Sequence, residues 1–256
     1  MAQQLGTQGS VQSLARGLSV IRAFSQERSE MTLTEVATAT GLTRAAARRF
    51  LLTLRELGYV ASQGRRFRLT PRVLELGYAF LSSLRLPEIA QPYLENVSRA
   101  INESCSICVL DRTEIVYVAR CAAERIMSVT LSVGTRLPAH ATSMGRVLLA
   151  GLAPEELDDY FRGVTLRSFT PKTVTDEVRL RRILAKVSGR GYAFVDQELE
   201  LGLLSIAVPL RNSHGRVSAA VNVSAHAGRV TRVQMEKEYL PHLREAASEI
   251  ERSLTA

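Results

Sequence analysis

The stretch LPAHATSMGRVLLA, residues 137–150, gathers the residue types that nucleophilic catalysis uses. Ser143 could act as nucleophile, His140 as base and Asp196 as the acid that orients it. The spacing argues against this. A nucleophile elbow needs G-x-S-x-G, and Ala141 stands where the first glycine belongs. His140 and Ser143 are also so close in sequence that a catalytic alignment would be fortuitous. The same residues suit a different chemistry: Thr142, Ser143 and the backbone N–H groups around Met144 and Gly145 read as a helix N-terminus, a ready anion site. An ordinary helix cap facing solvent is the plainer alternative.

Other constellations are weaker. Cys105 and Cys108 form a C-x-x-C, but they lie in the apolar run CSICVL, which reads as a strand on which positions i and i+3 point to opposite faces. Asp196, Glu198 and Glu200 alternate in VDQELELG without a second ligand cluster, so no metal is expected. Gly189-Arg190-Gly191 lacks the third glycine of a dinucleotide loop, and residues 134–146 lack the G-K-[ST] of a P-loop, so no cofactor is expected either. Polar residues do interrupt apolar strands at Ser205 in LLSIAVP and at Asn222 and Ser224 in VNVSA. The last two are spaced to share a face. A few polar groups in an apolar setting describe a small-ligand pocket, although each could equally be a satisfied core group.

The elements that would position these residues are α+β. CSICVLD, EIVYVARCA and RIMSVTLSVG read as antiparallel strands. Helices follow around residues 143–150, 154–161 and 176–188; then YAFVD, GLLSIAVPL and VSAAVNVSA read as strands, with Asn212-Ser213-His214-Gly215 as a hairpin turn. Residues 231–254 close the chain as an amphipathic helix. One antiparallel sheet covered by helices is the expected product.

The N-terminal third has another character. Leu14, Leu18, Ile21 and Phe24 recur at helical spacing between Val11 and Arg28. Thr32-Leu33-Thr34-Glu35 is a capping box that starts a second short helix, and Gly41 ends it. Thr43 caps a third helix, which buries Ala47, Phe50, Leu51, Leu54 and Leu57 on one face and carries Arg44, Arg48, Arg49 and Arg55 elsewhere. Only Glu56 balances them. The order is that of a helix-turn-helix. YVASQGRRFRLT then alternates like two strands around Gln63-Gly64, a basic wing that carries Arg65, Arg66 and Arg68. A winged helix-turn-helix sets its third helix in the major groove, so Thr43, Arg44, Ala45, Arg48 and Arg49 would face bases and phosphates while the wing touches the backbone or minor groove.

Charge distribution agrees. Residues 1–86 hold 12 Arg, no Lys and 5 Glu, a net of +7, so nearly all of the chain's +8 sits in its first third. A domain division follows: a winged helix-turn-helix over 1–70, a linker helix over 71–86 and a ligand-binding and oligomerising domain over 87–256. The linker, PRVLELGYAFLSSLR, is more apolar than a free connector and suits packing against its copy in a dimer. No apolar run approaches a membrane span and no secretory signal opens the chain. With three cysteines, an odd number, a reducing cytoplasm is the expected setting.

Taken together, SLARGLSVIRAF, the helix GLTRAAARRFLLTLRELGYV, GTRLPAHATSMGR, YAFVDQELELGL and SIAVPL with VSAAVNVS resemble the IclR family of bacterial transcription regulators over nearly the whole chain. The wording looks most like the branch that governs the β-ketoadipate pathway. The resemblance implies a GAF/profilin-like effector domain, a homodimer or dimer of dimers, a palindromic double-stranded operator, and an organic acid effector of the protocatechuate, 4-hydroxybenzoate or β-ketoadipate type. It places the effector against Met127, Val129, Thr142, Ser143, Asp196, Leu203, Ser205, Asn222 and Ser224. One departure matters: Leu204 stands where regulators of this branch often carry arginine, which leaves Arg120 and Arg136 as candidate carboxylate partners. The reading is of a ligand-responsive regulator and not an enzyme; the competing class, an enzyme on small carboxylic acids with a DNA-tethering head, would need turnover that depends on Ser143.

Overall fold

The computed structural model describes residues 11–25, 27–82, 84–123 and 131–255, and the chain divides into two compact units after Ser83. In the first unit α1 (Gln12–Arg22), α2 (Leu33–Thr40) and α3 (Arg44–Glu56) pack together beside a small antiparallel sheet of β1 (Glu30–Thr32), β2 (Val60–Gln63) and β3 (Arg66–Leu69), in the order β1-β3-β2. Both expected caps form. Thr32 and Glu35 make the reciprocal capping box, and the Thr43 hydroxyl accepts from Ala46 N–H at 3.2 Å. Gly41 ends α2 at φ +67°, a left-handed value that glycine adopts without strain. The core is Val20, Met31, Val36, Ala47, Leu51, Leu54 and Val60. Leu14, Leu18 and Leu57, expected inside, are largely exposed. The end of α1 and the residues just after it make the packing, through Val20, Ile21, Ala23 and Phe24, and Leu57 follows the last turn of α3. Strand β1 was not foreseen; three residues are too few to show alternation.

The helix expected over 71–86 is interrupted. A 3-10 turn (Pro71–Val73) leads into α4 (Leu74–Leu81), and α5 (Arg85–Ile101) begins in the second unit, inside the expected linker. Pro87 falls in the first turn of α5, where its missing N–H costs nothing, while Pro92 lies inside the helix.

The second unit is built on a six-stranded antiparallel sheet of order β6-β5-β4-β9-β8-β7, from β4 (Ser104–Asp111), β5 (Glu114–Cys121), β6 (Arg136–Pro138), β7 (Ala193–Asp196), β8 (Leu203–Arg211) and β9 (Val217–His226). The strand expected in RIMSVTLSVG falls mostly on residues 124–130, outside the described residues. Helix α6 (Ser143–Ala150) packs on β8 and β9 and is backed by α7 (Pro154–Gly163) and α8 (Glu177–Arg190), enclosing Met144, Val147, Leu148, Leu180 and Leu184. Helix α5 packs with the closing segment, α9 (Arg232–Gln234), a π turn (Met235–Tyr239) and α10 (Leu240–Thr255); Tyr93 Oη and Ser253 Oγ lie 2.9 Å apart across that contact. No helix among the described residues is long and apolar enough to cross a membrane.

The entry to α6 is held from several directions. A Cβ on Gly145 would lie 2.1 Å from the Ala139 carbonyl oxygen, so only glycine admits the turn of Ala139–Ala141 against the helix. Arg146, 2% exposed at its side chain, closes its fork on Glu198, with Nη1 donating to Oε1 at 2.7 Å and Nη2 to Oε2 at 2.6 Å. Its Nε donates to the His140 carbonyl at 2.9 Å, and Val174 N–H donates to Glu198 Oε2 at 3.0 Å. One ion pair therefore ties α6, the turn before it, the loop near residue 174 and the loop after β7.

Removing one partner of such a pair strands a buried charge. Glu198→Leu is expected to cost about 3–5 kcal/mol in urea unfolding, and joint replacement with Arg146→Met less than either single change. A single-variant loss below about 1 kcal/mol would contradict this placement. Gly145→Ala is expected to lose about 1–3 kcal/mol in the same assay, because the Ala139 backbone must move.

Candidate functional site

Beside the entry of α6 the sheet encloses a cavity of about 360 Å³, at the small end of pockets that take organic ligands. Strand register explains its polar floor. Ser104 stands across from Ser224, which stands across from Ser205; Ser106 stands across from both Arg120 and Asn222. Directly opposed residues share a face, so these six side chains lie on one side of four adjacent strands. They bond to one another: Asn222 Nδ2 donates to Ser205 Oγ at 3.2 Å and to Ser224 Oγ at 3.0 Å, Ser205 Oγ is bonded to Ser143 Oγ, and Arg120 Nη1 reaches Ser106 Oγ at 3.4 Å. The walls are apolar, from Tyr117, Leu131, Leu137, Met144, Val195 and Leu203. Burial pushes the Tyr117 phenol above its ordinary pKa, so it stays neutral.

The structure brings some of the expected residues together and separates others. Thr142, Leu203, Ser205, Asn222, Ser224 and Arg120 line the cavity. Ser143 lies behind Ser205 and is buried. Asp196 is outside: it stands across from Leu204, whereas Val195 stands across from Ser205, so the pleat turns Asp196 to the other face. There it is exposed and pairs with Lys172 at 3.1 Å, and its hydrogen bond from Gln197 leads the causes that lower its carboxyl pKa. Leu204 shares that face, so an arginine there would also point away from the polar floor. Arg136 is outside too, its guanidinium held at the surface by Asp111 at 2.6 Å and Glu114 at 2.8 Å. Met127 and Val129 fall outside the described residues.

The helix N-terminus expected at Thr142 forms, with a side-chain cap. Gly145 N–H donates to the Thr142 hydroxyl at 3.1 Å, and that hydroxyl lies 3.2 Å from the Pro138 carbonyl, to which it donates. The triad does not assemble: Ser143 is on Ser205, His140 Nε2 is 3.0 Å from the Arg167 carbonyl, and Asp196 faces away. Desolvation holds the buried His140 below its usual pKa and keeps it neutral. Among the described residues no cluster of three metal-ligating side chains exists, Glu198 being taken by Arg146. Cys105 and Cys108 are buried thiols pushed up by desolvation, which leaves them inert. Glu103, Glu200, His226 and Arg229 also line the cavity and were missed. Glu103, Glu200 and Arg229 belong to turns and bends, which carry no periodic signal, and His226 is the last residue of β9.

The first unit presents a separate surface. Thr43, Arg44, Ala45, Arg48 and Arg49 are exposed on the first half of α3, and Arg65, Arg66 and Arg68 are exposed on the wing. Gly64 turns the hairpin at φ +59°. Arg66 and Arg68 share a face of β3, opposite Phe67, which packs on the core; Arg66 Nη1 also touches the Glu30 carbonyl at 3.4 Å.

Comparison with known proteins assigns both units to one family. The IclR helix-turn-helix domain matches residues 13–64, and the C-terminal domain of bacterial IclR transcriptional regulators matches residues 78–252. The Pca regulon regulatory protein of Pseudomonas putida is 46% identical over 239 residues, 93% of this chain and 82% of that one. A transcriptional regulator from Rhodococcus sp. RHA1 superposes with a TM-score of 0.85 at 52% identity, covering 96% of this chain and 99% of that chain. An IclR homologue from Microbacterium hydrocarbonoxydans, complexed with 4-hydroxybenzoate, gives a TM-score of 0.82 at 30% identity over 95% and 99% of the two chains. The chain belongs to the IclR family: it is a DNA-binding transcriptional regulator that answers to a small-molecule effector, and not an enzyme.

Proposed function

We propose that this regulator controls the catabolism of aromatic acids through the β-ketoadipate pathway, and that its effector is a small organic acid of the protocatechuate, 4-hydroxybenzoate or β-ketoadipate type. The observation that carries the reading is the cavity, whose apolar walls suit a ring or short carbon chain and whose floor offers Ser205, Asn222, Ser224 and Arg120 to oxygen substituents. The Pca regulon regulatory protein supports the pathway by its name, and the 4-hydroxybenzoate complex of the Microbacterium homologue supports the ligand class. We take residues 1–70 as the DNA-binding domain, 71–86 as the linker and 87–256 as the effector-binding and oligomerisation domain, in a cytoplasmic protein. Exposed apolar side chains on α1 and α4, among them Leu14, Leu18, Leu74, Leu76, Tyr78 and Phe80, favour a homodimer or dimer of dimers. A two-fold dimer reads a palindromic operator.

On DNA, Thr43, Arg44, Ala45, Arg48 and Arg49 contact base edges and phosphates in the major groove, while Arg65, Arg66 and Arg68 hold the backbone. Arg44→Ala or Arg48→Ala is expected to weaken operator binding by about 1–3 kcal/mol with circular dichroism unchanged. Arg66→Ala is expected to weaken operator and scrambled DNA alike and to reduce the salt slope by about 1. Fluorescence anisotropy over a salt series checks both; full affinity in the α3 variants would contradict their assignment. In the cavity, Asn222→Ala is expected to raise the acid concentration that alters operator binding, leaving acid-free DNA affinity intact. A response at the wild-type concentration would remove Asn222 from the site.

A further inference from the structure

Four arginines of the second unit are committed to different degrees. Arg146 closes both Nη atoms on Glu198 at 2.7 and 2.6 Å, and Arg136 spends Nε and Nη2 on Glu114 and Asp111. Arg120 lies on the polar floor against Ser106. Arg229, on the turn after β9, lines the cavity and touches Glu103 through Nη2 alone, at 3.2 and 3.3 Å from the two carboxylate oxygens. That geometry anchors the guanidinium without using its fork. Among the described residues nothing else bonds Nε or Nη1, a pair that suits a second planar anion.

Burial places the two ends of this contact differently. The Glu103 side chain is 5% exposed and that of Arg229 is 46% exposed, so the pair runs from the enclosed cavity to its solvent side. An ionised carboxylate loses least by binding where it keeps part of its hydration, and a neutral hydroxyl tolerates the enclosed floor. The bonded hydroxyls and amide of Ser205, Asn222 and Ser224 can both donate to and accept from such a group.

We propose that Arg229, positioned by Glu103, is the residue that selects an acid: it takes the effector's carboxylate at the cavity's solvent side while the effector's hydroxyl end lies on the Ser205–Asn222–Ser224 floor. The proposal rests on the effector reading above and deepens it. Glu103 is a positioning residue: its carboxylate accepts from Arg229 Nη2 and so holds the guanidinium at the cavity.

The test is calorimetric titration of the full chain with 4-hydroxybenzoate and with its neutral analogue 4-hydroxybenzamide, for the wild type, Arg229→Gln and Arg120→Gln. Arg229→Gln is expected to weaken the acid by roughly tenfold or more and to change the amide by less than about threefold. Arg120→Gln is expected to shift acid and amide alike. An acid affinity unchanged in Arg229→Gln, a loss shared equally by acid and amide, or an acid-selective loss in Arg120→Gln instead would overturn the assignment while leaving the effector class standing. A wild type that binds neither 4-hydroxybenzoate nor protocatechuate nor β-ketoadipate would overturn the effector reading and this proposal with it.

Discussion

Inside the effector domain the guanidinium of Arg146 meets the carboxylate of Glu198 almost out of reach of water, and the surrounding backbone completes both groups. Two charges removed from solvent cost more than their attraction returns unless every remaining donor and acceptor is met. Here the His140 carbonyl and the Val174 N–H meet them. The pair therefore acts as a locator as much as a source of stability: it fixes where α6 enters the sheet, and so where Thr142, Ser143 and Met144 stand relative to Ser205. The excluded Cβ at Gly145 makes the same point sterically. The cavity inherits its shape from this corner and its polarity from the register of β4, β5, β8 and β9.

A regulator of this kind needs two surfaces and a coupling between them. On the proposed function, the exposed arginines of α3 and the wing would supply a salt-dependent attraction to phosphate, and sequence preference would come from the few side chains that reach base edges. The cavity would supply the signal. Linkage requires that an effector which changes operator affinity by a given factor has its own affinity changed by the same factor when DNA is bound. An acid that binds every arrangement of the chain equally would change nothing, however tightly it was held.

Most of the first unit was legible because its signals are local. The Thr32–Glu35 box, Gly41, the Thr43 cap and the Gln63-Gly64 turn each act over a few residues, and each appears at its expected place. What failed there depended on tertiary packing: Leu14, Leu18 and Leu57 fit a helical stripe but lie beyond the core that α2 and the sheet define. In the second unit the antiparallel strands could be read from alternation, but strand pairing could not. The family resemblance sets Asp196 against the effector, but the pleat turns its side chain to the other face of the sheet. Arg229 shows the converse. It sits on a turn with no pattern to mark it, and only the closing of β9 onto β4 and β8 brings it to the cavity that Ser205 and Asn222 line.

The most direct test is fluorescence anisotropy of the full chain on labelled DNA from upstream of its own gene, against scrambled competitor at fixed moderate salt, with protocatechuate, 4-hydroxybenzoate and β-ketoadipate added in turn. The account expects binding to the upstream sequence at least about a thousandfold tighter than to scrambled DNA, shifted by one of the acids. Equal affinity for both DNAs under every addition would mean that the arginine face holds phosphate alone, and would contradict the account at its centre.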